Sequence, residues 1–160
     1  MELRQARLSD PIVAPLLAGL AAEYERRYGP VDEMSLAHPD EFDPPTGAFV
    51  VLIDGDQTVA GGGIRRLEHD TCEVKRMWTS PEYRRRGLAT TVLAALEDAA
   101  RQLGYTRVQL ETGPSQPEAI AMYGHLGYRM IPPFGPYSEA VAFERDLAPA
   151  DPRSAGATSI

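Results

Sequence analysis

Met77-Trp78-Thr79-Ser80-Pro81-Glu82-Tyr83-Arg84-Arg85-Arg86-Gly87-Leu88-Ala89 decides how this chain is read, because it runs from a β-strand through a turn into a long helix. A helix N-terminus carries about half a positive charge and four unpaired N–H groups, so acidic residues are the ordinary choice there. Three consecutive arginines break that rule. An anion bound from outside would offset the repulsion, and Gly87 and Ala89 are small enough to let backbone N–H groups close on phosphate oxygens. That suits a diphosphate. On spacing alone, arginines extending from a surface turn into water explain the run equally well. The stretch lacks the Gly-Lys-Ser/Thr ending of a triphosphate loop and the three-glycine spacing of a dinucleotide fingerprint.

Downstream of the turn, Leu88, Val92, Leu96, Ala99 and Leu103 form one apolar stripe, and Gly104 closes the helix. Arg107 to Glu111 reads as a strand, Pro117 to Leu126 as a short helix ended by Gly127, and Val141 to Leu147 as a last strand. Upstream, Ala48 to Ile53, the turn Asp54-Gly55-Asp56 and a strand from Thr58 make a hairpin, since an Asp-Gly pair supplies the positive φ of a tight turn. Gly61-Gly62-Gly63 interrupts the second arm, which signals a bulge or a close approach of backbone or ligand. Glu68-His69-Asp70 turns the chain into a strand from Thr71 to Thr79, on which alternation puts Glu73, Lys75 and Met77 on one face and Cys72, Val74, Arg76 and Trp78 on the other. Before the hairpin, Glu2 to Leu8 reads as a short strand. Ser9, Asp10 and Pro11 then cap a helix whose stripe is Val13, Leu16, Leu17, Leu20 and Tyr24, ending at Tyr28-Gly29-Pro30. Residues 29–47, rich in proline and acids, read as an irregular segment suited to lining a cleft, with a weak helical fragment from Met34 to His38. Strands and helices thus alternate around one sheet that contains antiparallel hairpins, an α/β or α+β mixed fold. One domain over residues 1–147 is expected, with Ala148 to Ile160 as a flexible tail.

Composition agrees with a single folded domain: of 160 residues 43% are hydrophobic and 24% charged, far from a disordered chain. Acidic residues outnumber basic ones 23 to 16, a balance opposite to that of a nucleic-acid binder. A single cysteine, Cys72, and widely separated His38, His69 and His125 leave neither a disulfide framework nor a zinc-ligand spacing, so no metal is expected. The longest purely apolar run, Ala48 to Ile53, is far shorter than a bilayer span, and the first residues lack an apolar signal core. A cytoplasmic protein without membrane contact is the expectation.

Two motifs together resemble the GNAT superfamily of acetyl-CoA-dependent N-acetyltransferases, and the likeness covers nearly the whole chain. The family's diphosphate loop, Gln/Arg-x-x-Gly-x-Gly/Ala, is matched by Arg84-x-x-Gly87-x-Ala89 after the turn Pro81-Glu82-Tyr83-Arg84. A second motif, Asn-x-x-Ala-x-x-Leu-Tyr-x-x-x-Gly-Phe, is similar to Gln116 to Tyr128, with Ala119, Tyr123 and Gly127 in register. Gln116 replaces the commoner Asn, keeping the amide on a longer arm, and Arg85 stands where glycine is frequent.

The resemblance implies a mostly antiparallel sheet with a parallel pair splayed around the cofactor, flanked by about four helices. It implies acetyl-CoA as cosubstrate, held by Arg84, Arg85, Arg86, Gly87, Leu88, Ala89 and Thr90 at the diphosphate, by the backbone of Met77, Trp78 and Thr79 along the pantetheine arm, and by Gln116 and Ala119. It also implies direct attack of an amine on the thioester. An alkyl amine with a pKa near 10.4 is only about 1 part in 2,500 neutral at pH 7, so a base must take its proton and an acid must meet the departing thiolate. The motif makes Tyr123 the proton donor, although its spacing also fits a buried aromatic stripe. Glu73 is the base on the same likeness, with a cross-strand salt bridge as the structural alternative, and Glu111 or a water as competitors. Cys72, inside a strand without a partner, reads as inert. Residues 28–45 and Ile131 to Ser138 are the segments expected around the acceptor. A small-molecule primary amine is the first acceptor class, a protein N-terminus or lysine the second, and a non-catalytic CoA-sensing module the alternative from another class. Exposed strand edges of such sheets often pair, which makes a homodimer an expectation.

Overall fold

The computed structural model describes residues 1–29 and 39–149; the fragment expected at Met34 to His38 and most of the expected tail lie outside the described residues. Along the chain come β1 (Glu2–Ala6), α1 (Ala14–Tyr28), β2 (Ala48–Asp54), β3 (Gln57–Glu68), β4 (Thr71–Thr79), α2 (Leu88–Gln102), β5 (Arg107–Thr112), α3 (Pro117–His125), β6 (Arg129–Ile131) and β7 (Val141–Asp146). Short 3-10 turns at Pro11–Val13, Pro39–Phe42 and Pro81–Tyr83 complete the described elements, so three α-helices rather than about four flank the sheet. The strands form a single sheet in the order β1-β2-β3-β4-β5-β7-β6. Every neighbouring pair is antiparallel except β4 with β5. This is the mixed α/β sheet with one parallel pair that the sequence led to.

Both faces of the sheet centre are covered, which is why β2 is an unbroken apolar run. Val50 and Leu52 point to the face where α2 and α3 pack, with Val92, Leu93 and Leu96 of α2 against them. Phe49, Val51 and Ile53 point the other way, to Val13, Leu16 and Leu20 of the α1 segment and to Phe42. Each such fully buried aliphatic side chain contributes roughly 1.5–3 kcal/mol of transfer free energy. Asp10 does not cap the first helix: its carboxylate turns back to accept the Arg7 N–H at 3.0 Å. The two-residue turn after Asp54 forms as expected, with Gly55 at φ 65°. Strand β6 was not read from the sequence; it is three residues long and pairs only with β7.

The glycine run does meet a bulge, but the extra residue lies on the opposite strand. Gly61 pairs with Trp78 and Gly63 with Lys75, so Gly62 alone faces both Arg76 and Met77, and Arg76 sits at φ 61°. One inserted residue reverses the side-chain alternation. Met77 therefore joins Cys72 and Val74 on the α2 face, whereas Trp78 packs on the α1 side. The expected common face of Glu73, Lys75 and Met77 is corrected accordingly.

The glycines themselves are explained by crowding. A Cβ on Gly61 would lie 2.7 Å from both Leu16 Cδ1 and the Val50 carbonyl oxygen, while one on Gly62 would meet the mobile end of Met77, Sδ at 2.5 Å. Backbone cannot yield as a thioether can. Gly61→Ala should therefore destabilise by about 1–3 kcal/mol and lower Tm by roughly 5 °C, with Gly62→Ala the milder of the two. Equal melting temperatures for both variants and the native chain would show that the strands relax freely there.

Candidate active site

The parallel pairing of β4 and β5 runs only from Thr71↔Arg107 to Val74↔Leu110. Beyond Val74, β4 continues to Thr79 with β3 as its one strand partner, and β5 continues to Thr112 beside β7. The two strands part, and a cleft of about 1090 Å³ opens between them. The free edge of β4 at Met77, Trp78 and Thr79 lines it, followed by Arg84, Arg85, Gly87, Leu88, Ala89 and Thr90 of the turn and first turn of α2. Gln116, Ala119 and Tyr123 line it from α3 and its approach, and Glu73 and Glu111 from the strands. Arg86 is the exception among the residues expected to hold a diphosphate: its guanidinium lies over the Tyr83 ring, 4.9 Å from the centroid.

The arginine turn is built for anions by its backbone first. Arg85 (φ 64°) and Gly87 (φ 76°) are both left-handed, a geometry that turns successive N–H groups to one side. The first bond within α2 is donated by the Thr91 N–H to the Gly87 carbonyl at 3.2 Å. The preceding amides, of Leu88, Ala89 and Thr90, are the orphan donors of the helix start. Arg84 is already engaged: its Nε donates to the Thr79 carbonyl at 3.2 Å and its guanidinium pairs with Glu23 of α1 at 3.2 Å. Glu23 also pairs with Arg27, which donates to the Ser115 carbonyl at 3.2 Å. Helix α1 thereby spans the turns after β4 and after β5. Periodicity placed α1 on the core and gave no sign of this second role.

Tyr123 is buried on α3, its ring between Tyr128 and Phe143 with centroids 5.7 Å away on each side. Burial, and then the neighbouring Tyr24 phenol, push its ionisation above the ordinary phenol range. It keeps its proton at neutral pH, the state a proton donor needs. Glu73, 4% exposed, has its Oε1 held by Arg65 at 3.0 Å, and Arg65 also reaches Glu41. The salt bridge and the place in the cleft thus coexist. Glu111 accepts the Phe134 N–H on Oε2 at 3.1 Å and so anchors the proline-stiffened loop. Phe134, Gly135, Pro136 and Tyr137 of that loop wall the cleft.

Cys72 is fully buried, and the loss of hydration pushes its thiol up to about 12. In the unfolded chain a thiol titrates near about 8.5. Because the folded value is the higher one, this contribution to stability is complete below about pH 8.5 and is lost as pH rises toward 12. The denaturant midpoint should fall more steeply between pH 9 and 12 in the native chain than in Cys72→Ala. A thiol reagent at pH 8 should label the protein only after unfolding; labelling of the folded protein would overturn this account.

The parted parallel pair and the left-handed turn into a helix give the chain the fold of an acetyltransferase. Residues 16–128 match the Acetyltransferase (GNAT) family, and the chain belongs to it. It is 33% identical over 137 residues to the uncharacterized N-acetyltransferase YjgM of Escherichia coli (strain K12), covering 81% of this chain and 82% of that one. It is 32% identical over 138 residues to an IAA acetyltransferase of Azospirillum brasilense, covering 84% and 87%. In fold it is similar to an aminoglycoside 6'-N-acetyltransferase complexed with coenzyme A, with TM-score 0.70 and 15% identity, covering 94% of this chain and 99% of that one.

Proposed function

We propose that this acetyltransferase moves an acetyl group from acetyl-CoA to a primary amine of a small molecule, by direct attack while both are bound. The observation that carries the reading is the free edge of β4 beside the left-handed arginine turn, with Tyr123 lining the same cleft. These residues fit coenzyme A: unpaired strand amides suit the amide-containing arm, and orphan helix amides with Arg85 suit the diphosphate. Gln116 and Ala119 border the arm from the head of α3. When bound, acetyl-CoA supplies an activated acetyl thioester and a thiolate leaving group. Every other demand falls on the chain. A main-chain N–H on the β4 edge polarises the thioester carbonyl, a contribution of about 3 kcal/mol in comparable sites. Glu73 takes the amine proton, directly or through water, while Arg65 holds the carboxylate in place. Tyr123 delivers its phenolic proton to the leaving group.

The small-molecule acceptor is supported by the walling of the cleft. The loop from Phe134 to Tyr137 is stiffened by prolines and pinned to Glu111, and Leu20 and Tyr24 of α1 line the cleft as well. A walled cleft suits a compact amine better than an extended protein segment.

Thermal unfolding with and without acetyl-CoA tests the binding half. A 100-fold excess over the dissociation constant should add about 2.7 kcal/mol of stability, and no shift in Tm would sink the proposal. Tyr123→Phe should lower kcat by about 10²-fold or more with an amine panel read by free-thiol release, and a native rate would exclude the phenol as acid. For Glu73→Gln the expected outcome is loss of the acidic limb of the pH–rate profile. A limb that survives would move the base to Glu111 or water.

A further inference from the structure

A polar cluster built on a buried carboxylate lies behind Tyr123, on the face of the sheet that carries α2 and α3, with its arginine, Arg145, 36% exposed along the side chain. Glu97 of α2 is 7% exposed, and its Oε2 accepts the Tyr128 hydroxyl at 2.7 Å and an Arg145 guanidinium N–H at 2.9 Å. The Arg145 guanidinium also lies 6.0 Å from the centre of the Tyr128 ring. Stability alone does not call for such a cluster, because apolar side chains of similar volume commonly serve a core as well as a buried ion pair does. A phenylalanine at position 128 would fill the same space. What the cluster adds is direction: it fixes the far end of the Tyr128 ring.

That ring meets the Tyr123 ring edge-on, with 62° between their planes, and Phe143 closes the other side. Among the described residues the Tyr123 hydroxyl has no hydrogen-bond partner, so ring packing alone aims it into the cleft. A reacting group must be held to within about 0.5 Å, and a 1 Å misplacement can cost about 10²-fold in rate. We infer that Glu97, Tyr128 and Arg145 are positioning residues, a clamp on the Tyr128 ring that keeps the Tyr123 phenol aimed at the leaving group. This rests on the reading of Tyr123 as the acid.

The test is a double-variant cycle, using acetyl-CoA and the fastest acceptor among tyramine, spermidine, glycinamide and kanamycin. Tyr128→Phe keeps the ring and removes the anchor; it should lower kcat about tenfold and leave KM for acetyl-CoA within about twofold. In a Tyr123→Phe background the same change should cost nothing further, because the group it aims is already gone. A second variant, Glu97→Leu with Arg145→Met, replaces the ion pair by apolar groups and should give the same pattern. Equal losses in both backgrounds would make the cluster merely structural and overturn the inference while leaving Tyr123 as the acid. A native rate in Tyr128→Phe would overturn it as well. Full activity of Tyr123→Phe would instead remove the acid itself, and the clamp with it. A further readout needs no acceptor: the ¹³Cζ resonance of Tyr123, assigned by its absence in Tyr123→Phe, should broaden or split in Tyr128→Phe. An unchanged line would overturn the inference.

Discussion

The structure turns on a single residue, Arg76, held in the left-handed region in the middle of a strand. For a long side chain that conformation costs on the order of 1–3 kcal/mol and persists only where surrounding contacts fix it. Here they do: the guanidinium lies 5.3 Å from the centre of the buried Phe42 ring, and the residue is itself buried. The inserted residue breaks the register with β3 and reverses the faces of everything after it. It comes two residues after Val74, where the ladder between β4 and β5 ends. Bulge and parting of the strands belong together, since a bulged strand bends and twists more than its neighbour can follow. An otherwise continuous sheet thus gains a free edge in its middle, where a ligand can complete the hydrogen bonding that β5 abandons.

The residues of the proposed chemistry gather on that parting. Glu73 lies just before it, Tyr123 faces it from α3, and the arginine turn lies beyond its far end. Burying Glu73 is tolerable because Arg65 neutralises it, and Glu41 shares the same guanidinium. A carboxylate can therefore be ion-paired for the sake of the fold and still present its other oxygen to a substrate. The structural and chemical readings of Glu73 are not exclusive.

Much of this was legible in the sequence because the signals were local. The Asp54-Gly55 turn, the α2 stripe closed by Gly104 and the small residues after the arginines each follow from backbone conformation over a few positions. The cleft was reached through motif resemblance joined to that local reading. Illegible were the features that depend on partners far along the chain. The bulge falls on Arg76 rather than within the glycines because register is settled between strands, and Met77 changed faces as a result. Strand β6 is too short for periodicity to register. Arg86 was counted with its neighbours by adjacency, yet a left-handed residue and a nearby aromatic ring turned it away. Glu97 drew no reading from the sequence at all, since only Tyr128 and Arg145, some thirty and fifty residues later, give it a place.

Helix α1 shows how a core element can also belong to a site. Its apolar stripe buries Leu16 and Leu20 on the sheet, which fixes the helix firmly. The same face, continued past Leu20 toward the end of the helix, carries Glu23 and Arg27, whose bonds reach Arg84 after β4 and the Ser115 carbonyl after β5. Those are the two chain ends that the parted strands leave without a common partner. Exposed ion pairs are individually weak and are screened by salt, so they do not lock the turns together. A bound diphosphate would accept from Arg84 a charge-assisted bond of the same kind as the one its guanidinium now donates to Glu23, so the arginine could exchange one anionic partner for the other. The rigid part of the site is therefore the bulged sheet and the packed phenol, and the part able to adjust is the charged rim that the helix lays across it.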